Sequence, residues 1–196
     1  MPPLLPEPAA TACQRFLDLL DHWNRTHALT SLPLEDRFEE LVLDSWVLVP
    51  RLADLPPGAR ILDLGSGMGI PAVVLAIARP DLEVLALDKS RKKMAFVRQV
   101  ALELQLPGLR PIAARAEDLA PLDAALGVAK AVGSPRLLAS WWERHGHPGA
   151  PLLALKSQVW EQEPLPGASW ILVPHPYALP SRGDRIVLEL RKQPGP

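Results

Sequence analysis

Cysteine is almost missing from this sequence. Cys13 stands alone among 196 residues, so neither an intramolecular disulfide nor a cysteine metal cluster can form within the chain. An excess of charge is missing too, with 21 basic against 22 acidic residues. That balance gives no bulk attraction to nucleic acid, and any such contact has to be local. No apolar run approaches the ~20 residues that a bilayer demands. The longest, Ile70 to Ala78, is far shorter. The first residues, Met1 to Glu7, show no basic segment leading into an apolar one, so secretion is not expected. A reducing, cytoplasmic location without membrane or metal is the simplest expectation. Internal repeats and low-complexity linkers are also absent.

What the chain does have is apolar content, 48% of residues, enough to exclude disorder as the default state. Its length suits one compact domain with a sizeable core. Proline is plentiful, with 23 residues, many in expected loops. Proline in loops lowers unfolded-state entropy, as suits a thermophile; a GC-rich coding bias would leave the same trace.

Hydrophobic periodicity divides the chain. Residues 9 to 54 read as helical, with Phe16, Leu17, Leu19, Leu20 and Trp23 on one face and a second helix over Glu35 to Leu52, interrupted near Pro50. From residue 60, short apolar runs alternate with helical segments. Strands are expected at Ile61–Leu64, Glu83–Leu87, Arg110–Ala113, Asp123–Val128 and Leu152–Leu155. Helices are expected at Gly69–Ala78, Ser90–Leu104 (Ser90 as N-cap) and Arg136–Arg144. Continuous apolar strands separated by helices imply a mostly parallel α/β sheet covered on both faces. Trp170–Val173 and Arg185–Leu190 read as two strands joined by a proline-rich connection, Pro174–Gly183, forming an antiparallel C-terminal edge. Residues 1–54 are thus expected to be a helical extension packed on a core of residues 55–196, the whole a single compact unit.

The sharpest local feature is Leu62-Asp63-Leu64-Gly65-Ser66-Gly67-Met68-Gly69, a strand running into a glycine-rich turn that opens a helix. Glycines at 65, 67 and 69 remove every Cβ where a ligand must meet the backbone. The spacing is G-x-G-x-G, not the G-x-G-x-x-G of dinucleotide binders. Asp88 ends the next strand, where a carboxylate can accept both ribose hydroxyls of a nucleoside; it could instead cap the helix beginning near Ser90. Asp63 could hold the glycine loop by hydrogen bonds, bind ligand, or both. Ala116-Glu117-Asp118 follows the third strand, at the position where backbone and an acidic side chain face an adenine ring; an exposed acidic loop is the alternative, strongest for Asp118.

With that loop in hand, a longer string of matches becomes specific. Asp63-Leu-Gly-Ser-Gly-Met-Gly-Ile-Pro71, Leu75-Ala-Ile77, Arg79-Pro80, Leu87-Asp88, Lys92-Lys93, Phe96-Val97, Arg115-Ala-Glu117 and Ala154-Leu-Lys156 resemble the bacterial small-subunit ribosomal RNA guanine-N7 methyltransferases (RsmG/GidB). Trp23-Asn24, Leu29-Thr30-Ser31, Leu43-Asp44-Ser45 and Gly183-Asp-Arg185-Ile-Val-Leu extend the likeness from about residue 13 to 192. The resemblance implies a class I methyltransferase Rossmann-like fold, S-adenosylmethionine as cofactor, and ribosomal RNA or the small ribosomal subunit as partner. It implies cofactor contacts from Asp63, Gly65, Ser66, Gly67, Gly69, Asp88, Lys89, Ala116 and Glu117. Departures fall on the substrate side. Gly127-Val128-Ala129, with Lys130 the nearest cation, replaces a Ser-Arg-Ala motif. Leu41 or Val42 stands where a His is usual, Ala28 replaces an Asn, and Ser157 replaces a Gly. Two further readings therefore stay open: a relative that methylates a small molecule or protein, and a non-catalytic module that binds S-adenosylmethionine.

Guanine N7 carries a free lone pair at neutral pH, so the reaction needs in-line positioning more than a base. Lys156 and Lys130 are the candidate catalytic cations, able to orient O6 or a phosphate. Lys89-Ser90-Arg91-Lys92-Lys93 with Arg98 is the densest basic stretch, and four cations at a helix start oppose its dipole. Phosphate contact by Lys92, Lys93 and Arg98, pointing away from the ribose carboxylate, would explain them; a solvated helix face is the bland alternative. Trp141, Trp142, Trp160, Trp170 and Tyr177 could stack on bases or pack. His145-Gly-His147 lacks the partners of a zinc site.

Overall fold

A computed structural model describes residues 5–193. The long helix α1 (Glu7–His27) leads the chain. Its apolar stripe, with Phe16, Leu17 and Leu20, is buried, and α1 packs on two later helices, Ala72–Ala78 and Arg91–Glu103. After α1 the chain turns through Ala28, whose φ is +45°. The Asn24 side chain staples this turn, accepting from Leu29 and Thr30 N–H at 2.6 and 2.9 Å and donating to the Thr30 carbonyl.

The expected second helix is not one helix. It divides into α2 (Leu34–Arg37), a π-helical stretch Phe38–Leu43, the turn α3 (Asp44–Trp46) and a 3₁₀ turn Val49–Leu52. Wider π turns are costly and often mark functional positions. Here Glu39 and Glu40 meet groups from the far end of the chain: Glu39 accepts from Ser181 N–H at 2.7 Å, and Glu40 faces Arg185 at 3.2 Å.

Seven strands follow as one sheet: β1 (Arg60–Leu64), β2 (Glu83–Asp88), β3 (Leu109–Ala113), β4 (Leu126–Lys130), β5 (Leu152–Lys156), β6 (Trp170–Leu179) and β7 (Gly183–Lys192). Their order is β3-β2-β1-β4-β5-β7-β6; the first five are parallel and β7 is antiparallel to both β5 and β6. α4 (Ala72–Ala78), α5 (Arg91–Glu103) and α6 (Pro135–His145) connect the parallel strands. Strand residues alternate between two apolar clusters. Ile61, Val84, Ala86, Val128 and Leu153 join α1, α4 and α5, while Leu62, Leu64, Leu85, Leu87, Ala129 and Leu152 join α6. This period-two alternation sends each strand-end polar residue to a defined face.

Two strand boundaries differ from the sequence reading. β4 runs Leu126–Lys130, not Asp123–Val128, because Asp123 is left-handed at φ +51° and breaks the ladder. The supposed connection Pro174–Gly183 mostly continues β6 to Leu179, paired with β7 throughout. Strand β6 lies at the sheet edge, and Pro174 and Pro176, two residues apart, share one side of it. An edge strand tolerates prolines whose missing N–H would have faced outward.

Candidate functional site

Strand order reverses between β1 and β4, both neighbours of one another in the sheet but fed from opposite directions. In open α/β sheets the crevice beyond the carboxyl ends at such a point is where ligands bind. Three adjoining cavities lie there. One, of about 190 Å³, is bounded by Gly65, Asp88, Lys89, Ala116, Glu117 and Trp141. A second, of about 410 Å³, shares Gly65, Asp88 and Val132 with the first and adds Gly67, Lys93 and Lys130. A third, of about 420 Å³, shares Lys130 and Val132 with the second and continues to Asp44, Lys156, Glu163 and Tyr177. The result is one trough along the strand ends.

Asp88 sits at its centre. Its position in β2 sends the side chain to the α4/α5 face, where Oδ2 accepts from Gly67 N–H at 3.0 Å and Oδ1 from Ser90 N–H at 2.7 Å. The two sequence readings of Asp88 are therefore compatible: it ties the glycine loop to the start of α5, and each carboxylate oxygen keeps a further lone pair. Ser90 itself caps α5, its hydroxyl accepting from Lys93 N–H. The loop is further held by Gly65 and Ser66 N–H donating to the Leu87 carbonyl at 2.8 and 2.9 Å.

Gly67 and Gly69 have different reasons to be glycine. At Gly67, φ is +57° and a Cβ would meet only the Lys93 ammonium, at 3.8 Å. It would project into the second cavity. At Gly69, φ is +96° and a Cβ would strike Val73 at 2.7 Å and Val97 at 3.0 Å. Gly69, expected to touch ligand, borders none of the three cavities; it lets α4 and α5 close beneath the loop.

Asp63 is fully buried, with Oδ2 accepting from Ala72 N–H at 2.9 Å at the start of α4. Its Oδ1 and the Ser66 hydroxyl are buried without a hydrogen-bond partner among the described residues. Burial pushes the Asp63 carboxyl up to about 8, the Ala72 hydrogen bond opposing and the Asp88 charge assisting. The folded protein therefore holds a proton that the unfolded chain releases near its ordinary 3.8. Stability from this group is complete below about pH 4 and lost as pH rises to about 8. Urea unfolding should show the wild-type midpoint falling over that window more steeply than that of Asp63→Asn. Equal slopes would remove Asp63 as the source.

Ala116 and Glu117 lie in a 3₁₀ turn after β3 and border the first cavity; Asp118 is exposed and borders none. The Ala116 carbonyl meets buried His145 Nε2 at 2.8 Å. Glu117 accepts from the Trp141 indole N–H at 2.7 Å. Its carboxyl is held below the usual range by its own backbone N–H and then by that indole. Trp141 thus belongs to the trough, whereas Trp142 and Trp160 are core. Reading the tryptophans as one cluster hid that difference.

The two candidate cations leave the sheet on opposite faces. Lys130 pairs with the buried carboxylate of Asp44, which also accepts from Tyr177 Oη at 2.5 Å. Burial, then the Asp44 charge, raises the Tyr177 hydroxyl far above its ordinary range. Lys156 donates to the Gly133 carbonyl and to Glu163 Oε2, both at 2.6 Å. Asp44 and Glu163 were not legible as site residues, although Leu43-Asp44-Ser45 carried part of the resemblance; Tyr177, expected to stack on bases or to pack, donates its hydroxyl to Asp44. The basic stretch needs a correction. Lys93 faces the second cavity beside Gly67, not away from Asp88, and the Lys92 ammonium bonds the His27 carbonyl that ends α1. Arg91 and Arg98 remain exposed.

A family model described as rRNA small subunit methyltransferase G matches residues 9–169. A ribosomal RNA small subunit methyltransferase G of Bordetella avium is 35% identical over 188 residues, covering 92% of this chain and 84% of the relative. That of Aeromonas hydrophila is 34% identical over 186 residues, covering 92% and 85%. That of Chromobacterium violaceum is 48% identical over 118 residues, 60% of this chain; the match spans 55% of the relative's length. Among solved structures, an S-adenosylmethionine-dependent O-methyltransferase of Thermotoga maritima superposes with TM-score 0.61 at 16% identity, covering 92% of this chain and 72% of that one. A methyltransferase of Aquifex aeolicus gives TM-score 0.58 at 15% identity, covering 79% and 92%. At such identities these two speak for the fold alone.

Proposed function

The chain belongs to the GidB (RsmG) family of rRNA small subunit methyltransferase G proteins, S-adenosylmethionine-dependent enzymes, and on that premise we propose that it methylates N7 of a guanine in small-subunit ribosomal RNA. The observation that carries the reading is the unbroken trough, which runs from the glycine loop and Asp88 past Val132 to Lys130 and Lys156. It offers a nucleoside-sized end, a middle, and an acceptor end in line.

The residues present fit the cofactor. Gly67 leaves open the space that a Cβ would fill, and Ser66 Oγ, on a residue that borders the second cavity, is a buried polar atom with no partner among the described residues; Asp63, fully buried, borders none of the three cavities and holds the start of α4. Asp88 would hold the ribose hydroxyls, and Ala116 with Glu117 and Trp141 would enclose the adenine; Lys89 and Lys93 border its flanks. When bound, the cofactor would supply a sulfonium methyl for transfer to N7. The chain's own work is orientation. N7 needs no deprotonation, so no residue has to act as base, and holding the partners in line is worth up to ~7–11 kcal/mol of barrier. Lys130, at the junction of the second and third cavities, is placed to donate to guanine O6. Its Asp44 partner fixes the ammonium while leaving N–H donors free.

Labelled S-adenosylmethionine, undermethylated small subunits and naked ribosomal RNA provide the test. Mass spectrometry of the digested RNA should find 7-methylguanosine; its absence from both substrates removes the reading. Backbone affinity can be tested separately. Replacing Arg91, Lys92 and Arg98 with Ala should weaken RNA binding and reduce the slope of log affinity against log salt by about 2, since each phosphate contact contributes about 0.7–0.9. An unchanged slope would leave those cations as a solvated face. We place the reaction in the cytoplasm, where ribosomal RNA is assembled; among the described residues no helix is long and apolar enough to cross a membrane.

A further inference from the structure

The acceptor end of the trough holds more carboxylates than an RNA-binding pocket needs for phosphate. Glu40, Asp44 and Glu163 all border the third cavity, together with Lys130, Lys156 and Arg185. Cations alone would suit a phosphate or a carbonyl. Carboxylates there call for donors on the ligand, and guanine carries them side by side: N1–H and the N2 amino group form one edge, adjacent to O6.

Resting on the trough reading above, we propose that Glu163 selects guanine by accepting hydrogen bonds from N1–H and N2–H through its carboxylate, with Lys156 as the residue that positions it. The order of atoms around the purine carries the assignment. N7 must face the cofactor end, and O6 follows it around the ring. Lys130 borders both the second and third cavities, so O6 lies beside Lys130 and the N1/N2 edge turns toward the wall that belongs to the third cavity alone. Three acidic groups compete for that edge. Asp44 is 2% exposed, and its two oxygens already serve Lys130 and Tyr177. Glu40 borders the second cavity as well and is engaged by Arg182 and Arg185. Glu163 borders the third cavity only, and its side chain is 32% exposed. Lys156 engages Oε2 at 2.6 Å, and among the described residues Oε1 carries no hydrogen bond.

Lys156 is thereby explained as well. Two of its three donors are spent on Gly133 O and Glu163 Oε2, and its side chain is 8% exposed, which suits a support better than a group that meets the ligand. An ionised acceptor makes the stronger kind of hydrogen bond. Such an edge reader also rejects adenine, whose N1 is an acceptor and would face the carboxylate unpaired. Single-stranded bases are commonly read on this edge.

The experiment compares guanosine with inosine, which keeps N7, O6 and N1–H but lacks the N2 amino group. The acceptor is first mapped by mass spectrometry, and RNA carrying a single inosine there is then assembled. Wild-type protein should methylate the inosine RNA roughly 10- to 100-fold more slowly, the cost of one charge-assisted hydrogen bond. Glu163→Ala, which loses the acceptor of both N1–H and N2–H, should slow transfer to guanosine below the wild-type inosine rate, shrink the guanosine-to-inosine ratio to within about threefold, and leave S-adenosylmethionine affinity by calorimetry unchanged. Glu163→Gln, which keeps the volume and one acceptor toward Lys156, covers the case in which the Ala variant fails to fold and should shrink the ratio in the same direction. Equal wild-type rates on the two RNAs overturn this inference while leaving the methyltransferase reading intact. So does a Glu163 variant that slows both RNAs alike. No transfer to either RNA removes the trough reading, and this inference with it.

Discussion

Gly67→Val is expected to abolish S-adenosylmethionine binding while the protein stays folded. A Cβ at this position meets nothing closer than the end of the Lys93 side chain at 3.8 Å, so the protein's own packing does not forbid it. The branched side chain instead fills the cavity shared by Gly65, Asp88 and Lys130, where the ligand must lie against the backbone. A positive φ is unfavourable for a β-branched residue, at a cost on the order of 1–3 kcal/mol, so the melting temperature should fall by several degrees without loss of cooperativity. Calorimetry should record no cofactor binding at concentrations that saturate wild type. Retained affinity would mean that the ligand does not approach the loop here. Gly69→Ala serves as the contrast: its clash with Val73 and Val97 should damage the fold first.

Asp88→Ala carries the second large effect. Loss of two charge-assisted hydrogen bonds to ribose, each worth ~1.5–3 kcal/mol, should weaken the cofactor by two orders of magnitude or more. The structure adds a consequence beyond affinity. The same carboxylate holds Gly67 and Ser90 N–H, so its removal also loosens the glycine loop and the start of α5. Amide exchange at Gly67 and Ser90 should therefore accelerate in the free protein. Asp88→Asn, with one acceptor oxygen, should fall between. If Asp88→Ala binds the cofactor as wild type does, the carboxylate is a loop clamp only, and ribose recognition must be sought elsewhere.

Much of this architecture follows from patterns that a linear reading can see. The strands β1, β2 and β5 and the helices α4, α5 and α6 are close to where apolar periodicity and the cap Ser90 put them. Hydrophobic period is a local property, and burial on both faces leaves continuous apolar runs. The glycine loop after β1 and Asp88 at the end of β2 were legible for the same reason, each belonging to a strand–turn–helix unit whose geometry is local. Where a neighbour from elsewhere in the chain intervened, the linear reading missed. The prolines of β6 look like a loop until the edge position of that strand is known. The segment Glu35–Leu52 has helical periodicity, yet contacts to Ser181, Arg182 and Arg185 accompany its widening into π turns.

By itself, then, the sequence determined a parallel α/β core with an antiparallel edge, the place of the glycine loop, and the presence of two lysines at strand ends. Tertiary structure alone decided what those lysines pair with. The Asp44 that holds Lys130 lies 86 residues earlier in the chain, and the Tyr177 that shares it lies 133 residues beyond Asp44. Period-two alternation sends Lys130 and Lys156 to opposite faces, but only the folded chain shows which carboxylate waits on each. Charge pairing is a matter of distance in space, with energy falling as separation grows, and no spacing along the sequence encodes it.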